Sequence, residues 1–204
     1  MKTIYFDNNA TTQTDEEVLK AMLPYFVENY GNPSSIYKIG RENRKAVEEA
    51  RKKVATALNC EPDEIYFTSG GSEADNTAIR GIAYQYQKKG NHIITSKIEH
   101  PAVLETCKQL EKEGFEVTYV GVKENGILDL EELKSAIKAT TILISVMFAN
   151  NEIGTIQPIQ EIGEIAQKHH IFFHTDAVQA VGSVSIDVKA LHIDALSLSA
   201  HKFY

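Results

Sequence analysis

Side chains that could do chemistry stand where strand-like runs of this sequence end. Lys202 closes the run from Leu196, and Asp176 ends an earlier run of the same kind. Upstream, Gly70 and Gly71 form a glycine-rich turn. Pyridoxal phosphate (PLP) requires three groups of a protein: an amine that bonds to its aldehyde, a carboxylate that pairs with its pyridine nitrogen, and a donor-rich turn that binds its phosphate. The residue types therefore favour a PLP site.

Polar clusters follow five of the predicted strands. They occupy residues 69–73, 97–101, 148–152, 174–179 and 199–202. In open α/β sheets, ligands bind beyond the carboxyl ends of the strands. A single cluster of this kind is more often a helix cap, a turn or a solvated surface. Five clusters at five strand ends indicate a binding site.

The chemistry of each side chain suggests a role. Asp176 would keep the pyridine ring protonated, so that the ring accepts electrons from the substrate α-carbon. Lys202 condenses with an aldehyde only when neutral, which a neighbouring cation or partial burial favours. The other candidates offer hydroxyl, amide or imidazole groups to the phosphate, the ring hydroxyl, a substrate carboxylate or the ring face. They are Ser72, His100, Asn151, Gln179, Ser199 and His201.

The composition is that of a soluble globular domain, with 43% hydrophobic and 24% charged residues among 204. A net charge of −7 lacks the basic footprint of a nucleic-acid-binding protein. The sequence shows neither a signal peptide nor an apolar run of membrane-spanning length, so we expect a cytoplasmic protein without membrane or nucleic-acid partners. Cys60 and Cys107 lack CxxC spacing and predict reduced thiols, and no metal site is expected.

Strand-like and helix-like segments alternate from about residue 63 onward. This pattern predicts an α/β fold whose mostly parallel sheet has helices on both faces. Helices are expected at 101–113 and at 130–138, the second with Asp129 as its N-cap. The strand candidates are rich in β-branched or aromatic residues: 65–68, 92–96, 116–120, 141–146, 171–175 and 195–199.

The N-terminal part has a different pattern. Thr14 and Glu17 form a capping-box pattern that opens a helix toward Asn29. Apolar residues at helical spacing predict a second helix from Gly40 to Leu58. We therefore divide the chain into an N-terminal arm, an N-terminal helical segment and a partial PLP-binding large domain, at 1–14, 15–58 and 59–204.

Seven ordered motifs resemble those of the NifS/IscS-type cysteine desulfurases, which are class V members of the fold type I PLP enzymes. The motifs lie at residues 5–12, 31–35, 67–76, 99–103, 149–155, 174–179 and 199–202. The run from Asn150 to Gly154 resembles the NifS/IscS group more than the SufS group. The resemblance covers essentially the whole chain.

This resemblance implies the large PLP-binding domain of fold type I and the removal of sulfur from L-cysteine. The products would be L-alanine and an enzyme persulfide, which is passed to iron–sulfur cluster assembly or tRNA thiolation. A homodimer is implied, with an iron–sulfur scaffold or another sulfur-acceptor protein as partner.

The family's residue roles carry over by matched motif. Lys202 is then the lysine that bonds to the cofactor, His100 is the ring-stacking acid/base, and Asp176 pairs with the ring nitrogen. The ring hydroxyl side is met by Asn151 and Gln179, and the phosphate by Gly71, Ser72, Ser199 and His201.

The chain departs from the family's pattern at its C-terminal end. Relatives continue into a small domain that carries a nucleophilic cysteine and an arginine for the substrate carboxylate. Neither Cys60 nor Cys107 matches that cysteine. We therefore expect an N-terminal portion of the enzyme, without the small C-terminal domain and without desulfurase turnover by itself.

Two alternative functions stay open. Another class V PLP enzyme, such as a selenocysteine lyase or an aminotransferase, would share the motifs, and product analysis with cysteine distinguishes it. A truncated, non-catalytic interaction module would bind a desulfurase subunit or a scaffold. Sulfide release after mixing with a C-terminal half distinguishes that possibility.

Overall fold

The structure is a computed structural model that describes residues 4–204. Within these residues, six α-helices and five strands are connected by loops and two short 3-10 turns. In chain order the elements are α1 (Glu16–Val27), α2 (Lys38–Leu58), the turn Pro62–Glu64, α3 (Gly71–Tyr86), β1 (His92–Ser96), α4 (Pro101–Lys112), β2 (Glu116–Val120), α5 (Leu130–Ala136), β3 (Thr141–Ser145), α6 (Ile159–Lys168), β4 (Phe172–Asp176), β5 (Ala195–Ser197) and the turn Ala200–Lys202.

The described residues form two compact units. The first comprises residues 4–67 together with His201–Tyr204, and the second comprises Thr68–Ala200. Helices α1 and α2 belong to the first unit, and the sheet belongs to the second. The division of the chain at 1–14, 15–58 and 59–204 stays a prediction.

Helix α1 begins one residue later than its capping pattern predicted. The Asp15 carboxylate accepts a hydrogen bond from the Glu17 backbone N–H at 2.7 Å, which makes Asp15 the N-cap. The capping box predicted at Thr14 is therefore wrong. A carboxylate satisfies a free N–H group of the first turn and also interacts favourably with the positive end of the helix dipole, which explains why Asp15 replaces the neighbouring threonine.

The strand predicted at residues 65–68 is also wrong, because no strand among residues 4–204 pairs with it. The backbone carbonyl of Ile65 instead accepts a hydrogen bond from the Arg51 guanidinium, which lies 5.0 Å from the centre of the Phe67 ring. Tyr66 is 81% exposed. Aromatic and β-branched residues favour a strand only where a neighbouring strand supplies the other half of the ladder.

The second unit contains a five-stranded sheet in the order β2-β1-β3-β4-β5, and every pairing in it is parallel. Every residue of β1 and β3 is buried, so both faces of the sheet are covered at its centre. The predicted α/β class is therefore confirmed. Strands β1 and β2 have the predicted bounds, and β3 to β5 differ from them by one or two residues at their ends.

The strand order reverses between β1 and β3, since β2 lies on one side of β1 and all later strands lie on the other. In such sheets the crevice beyond the carboxyl ends at this reversal is the usual ligand site. Helix α3 packs against α4, β3, β4 and β5. Its buried Ile79 and Ala83 join Ile93, Val103 and Leu143 in a core cluster that fixes the strand ends.

The helices of the second unit begin where their sequences allow. The Asp129 carboxylate accepts from the backbone N–H groups of Glu131 and Glu132 at 3.0 and 3.2 Å, which confirms the predicted N-cap of α5. Pro101 occupies the first turn of α4, where no backbone N–H is needed. Within residues 4–204, none of the helices combines the length and the apolar composition that crossing a bilayer requires.

Candidate functional site

The segment after β1 is held by the buried carboxyl group of Glu99. Its Oε1 accepts from the Met147 backbone N–H at 2.9 Å and from the Ser96 hydroxyl, which links the ends of β1 and β3. Its Oε2 has no hydrogen-bond partner among the described residues. Burial, reinforced by the charges of Asp176 and Asp75, raises the pKa of Glu99 to about 8.

His100 follows directly as the exposed N-cap of α4. Its Nδ1 accepts from the Ala102 backbone N–H at 3.1 Å. Because Nδ1 is the acceptor, the neutral ring carries its proton on Nε2. The helix therefore fixes the ring and leaves Nε2 as the atom that can exchange a proton.

The loop after β3 is fixed by Asn150, which the sequence analysis did not select as a site residue. Its Oδ1 accepts from the backbone N–H groups of Glu152 and Ile153 at 2.9 and 3.0 Å. Its Nδ2 donates to the Ile98 carbonyl at 3.0 Å. The predicted site residue Asn151 is consequently half-buried at the start of a turn that is anchored to the segment after β1.

Asp176 is the last residue of β4 and is 5% exposed. Its Oδ1 accepts from the Val178 backbone N–H at 3.0 Å, and its carbonyl accepts from the Phe148 N–H at 2.8 Å. Gln179 follows three residues later and is half-buried. The carboxylate is therefore held in place by the segment that follows its own strand.

A chain of buried polar side chains crosses β3, β4, β5 and α3. His174 Nδ1 lies 2.9 Å from Ser145 Oγ, and His174 Nε2 lies 3.0 Å from Ser197 Oγ. The same Nε2 lies 3.7 Å from Oδ1 of Asp75. Burial lowers the pKa of His174 to about 4, so this approach is not an ion pair at neutral pH.

Asp75 lies on the buried face of α3 and is 1% exposed. Burial raises its pKa to about 7, the charge of Asp176 adds to this, and a hydrogen bond from Ser197 opposes it. Its Oδ1 has no hydrogen-bond partner among the described residues. The sequence contained a signal for this residue, since Asp75 precedes the buried Ile79 and Ala83 at helical spacing.

Two other buried residues were also missed by the sequence analysis. His174 alternates with Asp176 on β4, so the two side chains share a face of the sheet. Glu99 directly precedes His100 at a strand end. Both positions were visible in the sequence, but their burial was not.

The N-terminus of α3 offers unsatisfied backbone N–H groups. Gly70 is its N-cap, and the first hydrogen bond of the helix joins the Ala74 N–H to the Gly70 carbonyl at 3.1 Å. A Cβ atom on Gly71 would lie 2.9 Å from Val178 Cγ2 and 3.5 Å from Ser199 Cβ. Only glycine therefore lets this turn approach the segments that follow β4 and β5 so closely.

The turn before α3 is held by its own side chains. Glu73 accepts from the Ser69 backbone N–H and from the Ser69 hydroxyl, both at 2.6 Å, and these bonds lower the pKa of Glu73. Ser72 is exposed in the first turn of α3, and Ser199 is 7% exposed after β5. The hydroxyl of Ser72 is thus accessible at an end of a helix that favours anions.

His201 and Lys202 are described with the first unit. Lys202 Nζ donates to the backbone carbonyl of Asn9. His201 Nδ1 lies 3.1 Å from Thr11 Oγ1, and the His201 carbonyl accepts from the Thr12 backbone N–H and hydroxyl, each at 2.9 Å. The predicted N-terminal arm is therefore bonded to the segment that carries Lys202.

The candidate residues of the second unit lie where the sheet order predicts a site. His100 and Asn151 follow β1 and β3, on the two sides of the reversal in strand order. Asp176 ends β4, and Gly71 packs near Ser199 after β5. The segments that follow four parallel strands thus carry the predicted polar groups.

Comparison with known proteins defines the class. The family model described as Aminotransferase class-V matches residues 4–204, and the chain therefore belongs to the class V aminotransferase family, whose members depend on PLP. Cysteine desulfurase IscS of Clostridium botulinum is 63% identical over 203 residues, which are 100% of this chain and 51% of the relative. Cysteine desulfurase IscS of Methanosarcina thermophila is 63% identical over 202 residues, which are 99% of this chain and 50% of the relative.

Solved structures agree with the family. A structure described as SspA in complex with cysteine has a TM-score of 0.95 and 43% identity, and the match covers 98% of this chain and 58% of that one. A NifS-like protein has a TM-score of 0.95 and 44% identity, with 98% and 56% covered. The resemblance to NifS/IscS-type cysteine desulfurases and the fold class are thereby confirmed. The chain spans about half the length of the curated relatives that it matches.

The buried acids of the second unit fit a cationic ring. Asp75, Glu99 and Asp176 are each 5% exposed or less, and no lysine or arginine among residues 4–204 is buried. Buried carboxylates are costly unless they are protonated or paired with a cation. A protonated pyridine ring is such a cation, and the glycine-lined start of α3 suits a phosphate. The residues present therefore fit PLP.

Proposed function

We propose that this chain carries the PLP-binding part of a cysteine desulfurase, which converts L-cysteine to L-alanine and transfers the sulfur as an enzyme persulfide. The observation that carries the proposal is the 63% identity, over the whole of this chain, to cysteine desulfurases. The similar structure that is described in complex with cysteine supports cysteine as the substrate. The persulfide would serve iron–sulfur cluster assembly or tRNA thiolation.

Each predicted site residue has a place in this proposal. When bound, PLP supplies an electron sink for the bond that breaks at the substrate α-carbon. Asp176 would hold the ring nitrogen, and Lys202 would form the covalent bond to the cofactor. The ring face would be covered by His100, the ring hydroxyl would be met by Asn151 and Gln179, and the phosphate would be held by Gly71, Ser72, Ser199 and His201.

Asp176 would keep the ring nitrogen protonated. Its carboxylate is buried and is oriented by the bond from the Val178 N–H, so it needs no rearrangement to accept a proton donor. A neutral side chain could not supply the negative charge that favours a protonated ring nitrogen.

Lys202 and His100 would handle the amine and the exchangeable proton. The Lys202 amine is oriented by its bond to the Asn9 carbonyl, and once neutral it has a lone pair for attack on an aldehyde. His100 Nε2 is the protonated atom of the neutral ring, because Nδ1 is occupied by the Ala102 N–H. His100 can therefore give a proton to, or take one from, a substrate through Nε2.

We extend the proposal to location and partners: a cytoplasmic homodimer that binds a sulfur acceptor or an iron–sulfur scaffold. Apolar side chains exposed on α1 support association with another surface. They are Val18, Leu19, Met22, Leu23 and Phe26, which are between 41% and 68% exposed.

The covalent bond is tested by reducing the PLP-loaded protein with borohydride and mapping the labelled peptide. We expect the pyridoxyl group on Lys202. Label on Lys97 or Lys189, with Lys202 unmodified, would show that the lysine is wrongly assigned.

The activity is tested on the complete product of the reading frame that contains this sequence. L-cysteine with a reductant should give sulfide and L-alanine in equal amounts. Turnover of selenocysteine alone would identify a selenocysteine lyase, and amino transfer to a keto acid without sulfide would identify an aminotransferase. Either result would contradict the proposed function.

A further inference from the structure

The buried polar chain of the second unit ends at Asp75. His174 Nδ1 lies 2.9 Å from Ser145 Oγ, and His174 Nε2 lies 3.0 Å from Ser197 Oγ. The same Nε2 lies 3.7 Å from Oδ1 of Asp75, an oxygen that is buried and has no hydrogen-bond partner among the described residues. On β4, His174 shares a face of the sheet with Asp176, which connects this chain to the ring-nitrogen subsite.

The charge of Asp75 is set by few neighbours. Among the elements packed against α3, strands β3 and β5 carry no titratable side chain, and β4 carries His174 and Asp176. The charged residues of α4 are exposed, and the buried thiol of Cys107 has a pKa raised to about 12. Glu99, before α4, is the other buried acid. None of the buried titratable groups on these elements is therefore a cation at neutral pH.

Hydrogen bonding alone does not explain an aspartate at this position. An asparagine at this position would offer the same acceptor oxygen and would bring no charge into the core. The carboxyl group instead leaves Oδ1 unpartnered, at 1% exposure, next to the charge of Asp176. Such an arrangement costs stability in the absence of a cation. It is not a metal site, because no group of three or more His, Cys, Asp or Glu side chains among residues 4–204 is arranged to hold a metal ion.

We propose that Asp75 is a positioning residue for the ring-nitrogen subsite at Asp176: it stores a proton in the cofactor-free protein and gives it up when a cationic ring binds. Two carboxylates, rather than one, then hold the positive charge of the ring. The proton leaves the Asp75 carboxyl for the ring nitrogen if the ring enters neutral, and for solvent if the ring enters protonated. This inference rests on the proposed PLP-binding function.

The pH range of the effect follows from the charges. A pKa of about 7 means that Asp75 holds its proton at pH 6 in the cofactor-free protein. A cation at Asp176 favours the ionised form of Asp75, so the proton is released on binding. At pH 8 Asp75 is already ionised, and no proton remains to be released from it.

The test counts protons by titration calorimetry in buffers of different ionisation enthalpy. The probe is pyridoxamine 5′-phosphate, which has the same ring but no aldehyde for Lys202. At pH 6 the unmodified protein should release up to about one proton more per bound ring than Asp75→Asn, and this difference should shrink toward zero at pH 8. The exposed residue Asp63 supplies the matched control, and Asp63→Asn should behave like the unmodified protein.

The affinity gives a second readout of the same linkage. Below pH 7, the affinity for the probe should rise more steeply with pH in the unmodified protein than in Asp75→Asn. The ratio of the two affinities should change by up to about tenfold per pH unit. A merely structural role of Asp75 would lower affinity by the same factor at every pH. An analogue of the probe with carbon in place of the ring nitrogen should remove the difference between the two proteins. If Asp75→Asn does not fold, Asp75→Ser, which keeps a short polar side chain, replaces it.

The outcomes separate this inference from the function on which it rests. Equal proton counts in the unmodified protein and in Asp75→Asn would overturn the role of Asp75 alone. A difference that persists with the carbon analogue would also overturn it, because the proton would then be unrelated to the ring nitrogen. Failure of the unmodified protein to bind PLP or the probe at all would contradict the proposed function and, with it, this inference.

Discussion

Lys202 Nζ donates a hydrogen bond to the backbone carbonyl of Asn9, across 193 positions of the sequence. Thr12 adds to this pairing, since its hydroxyl donates to the His201 carbonyl at 2.9 Å and accepts from the Tyr204 N–H at 2.8 Å. The N-terminal motif at residues 5–12 contains no helix or strand. Its structural role is to hold the segment that carries Lys202.

Replacing Thr12 by valine should loosen that segment. Thr12→Val keeps the shape of the side chain but removes both hydroxyl hydrogen bonds, each of which contributes about 1 kcal/mol. Amide hydrogen exchange of the peptide that contains Tyr204 should therefore become roughly tenfold faster or more. Thr14→Val is the matched control, because the exposed Thr14 side chain makes no hydrogen bond within residues 4–204. Equal exchange in the two variants would contradict the role of Thr12.

Replacing Gly71 by alanine should weaken anion binding at the start of α3. The added Cβ would approach Val178 Cγ2 to 2.9 Å, so the turn or the segment after β4 has to move, at a cost of about 1–3 kcal/mol. We expect a lower affinity for PLP and a lower melting temperature in Gly71→Ala.

Gly81 of the same helix supplies the control. A Cβ there would meet nothing within 4 Å, and alanine in a helix interior is more stable than glycine by about 1 kcal/mol. Gly81→Ala should therefore raise the melting temperature and leave PLP affinity unchanged. A similar loss of affinity in both variants would mean that α3 is perturbed as a whole and that the turn has no special role.

The buried titratable groups should make stability fall as the pH rises from 6.5 to 8. Asp75 and Glu99 have pKa values of about 7 and 8, above those of an unfolded chain, so the folded state binds more protons and stability falls as pH rises toward these values. His174, with a pKa of about 4, has the opposite effect, but only below its unfolded pKa of about 6.5. Of these three buried groups, Asp75 and Glu99 are the ones that act above pH 6.5.

Glu99→Gln tests this prediction. The amide keeps an oxygen for the Met147 N–H and the Ser96 hydroxyl but cannot ionise. The contribution of Glu99 to the change of the unfolding free energy with pH is at most about 1.4 kcal/mol per pH unit. Denaturant unfolding of the cofactor-free protein should show the variant to be more stable than the unmodified protein at pH 8, by about 1–2 kcal/mol, with a smaller difference at pH 6.5. Glu124→Gln, at an exposed loop position, should change nothing. A pH dependence that Glu99→Gln leaves intact would show that Glu99 is ionised throughout this range.

Most of the sheet could be predicted from the sequence, because a parallel strand buried on both faces requires a short continuous apolar run. The predicted and observed bounds of the fully buried β1 agree, and those of the edge strand β2 agree because its β-branched and aromatic residues favour a strand beside β1. The polar groups after the strands were equally visible, since they interrupt apolar runs at fixed places. The roles assigned to Lys202, His100 and Asp176 stay predictions, although the family that suggested them is confirmed.

The features that only the tertiary structure decided depend on contacts between residues that are distant in the sequence. The segment at 65–68 has strand-forming residues but no neighbouring strand, so its carbonyl bonds to Arg51 instead. Lys202 meets Asn9, and His174 connects Ser145 to Ser197, only because folding brings these residues together. The ionisation of Asp75 and Glu99 likewise follows from desolvation, and desolvation is a property of the packed core rather than of any local stretch of sequence.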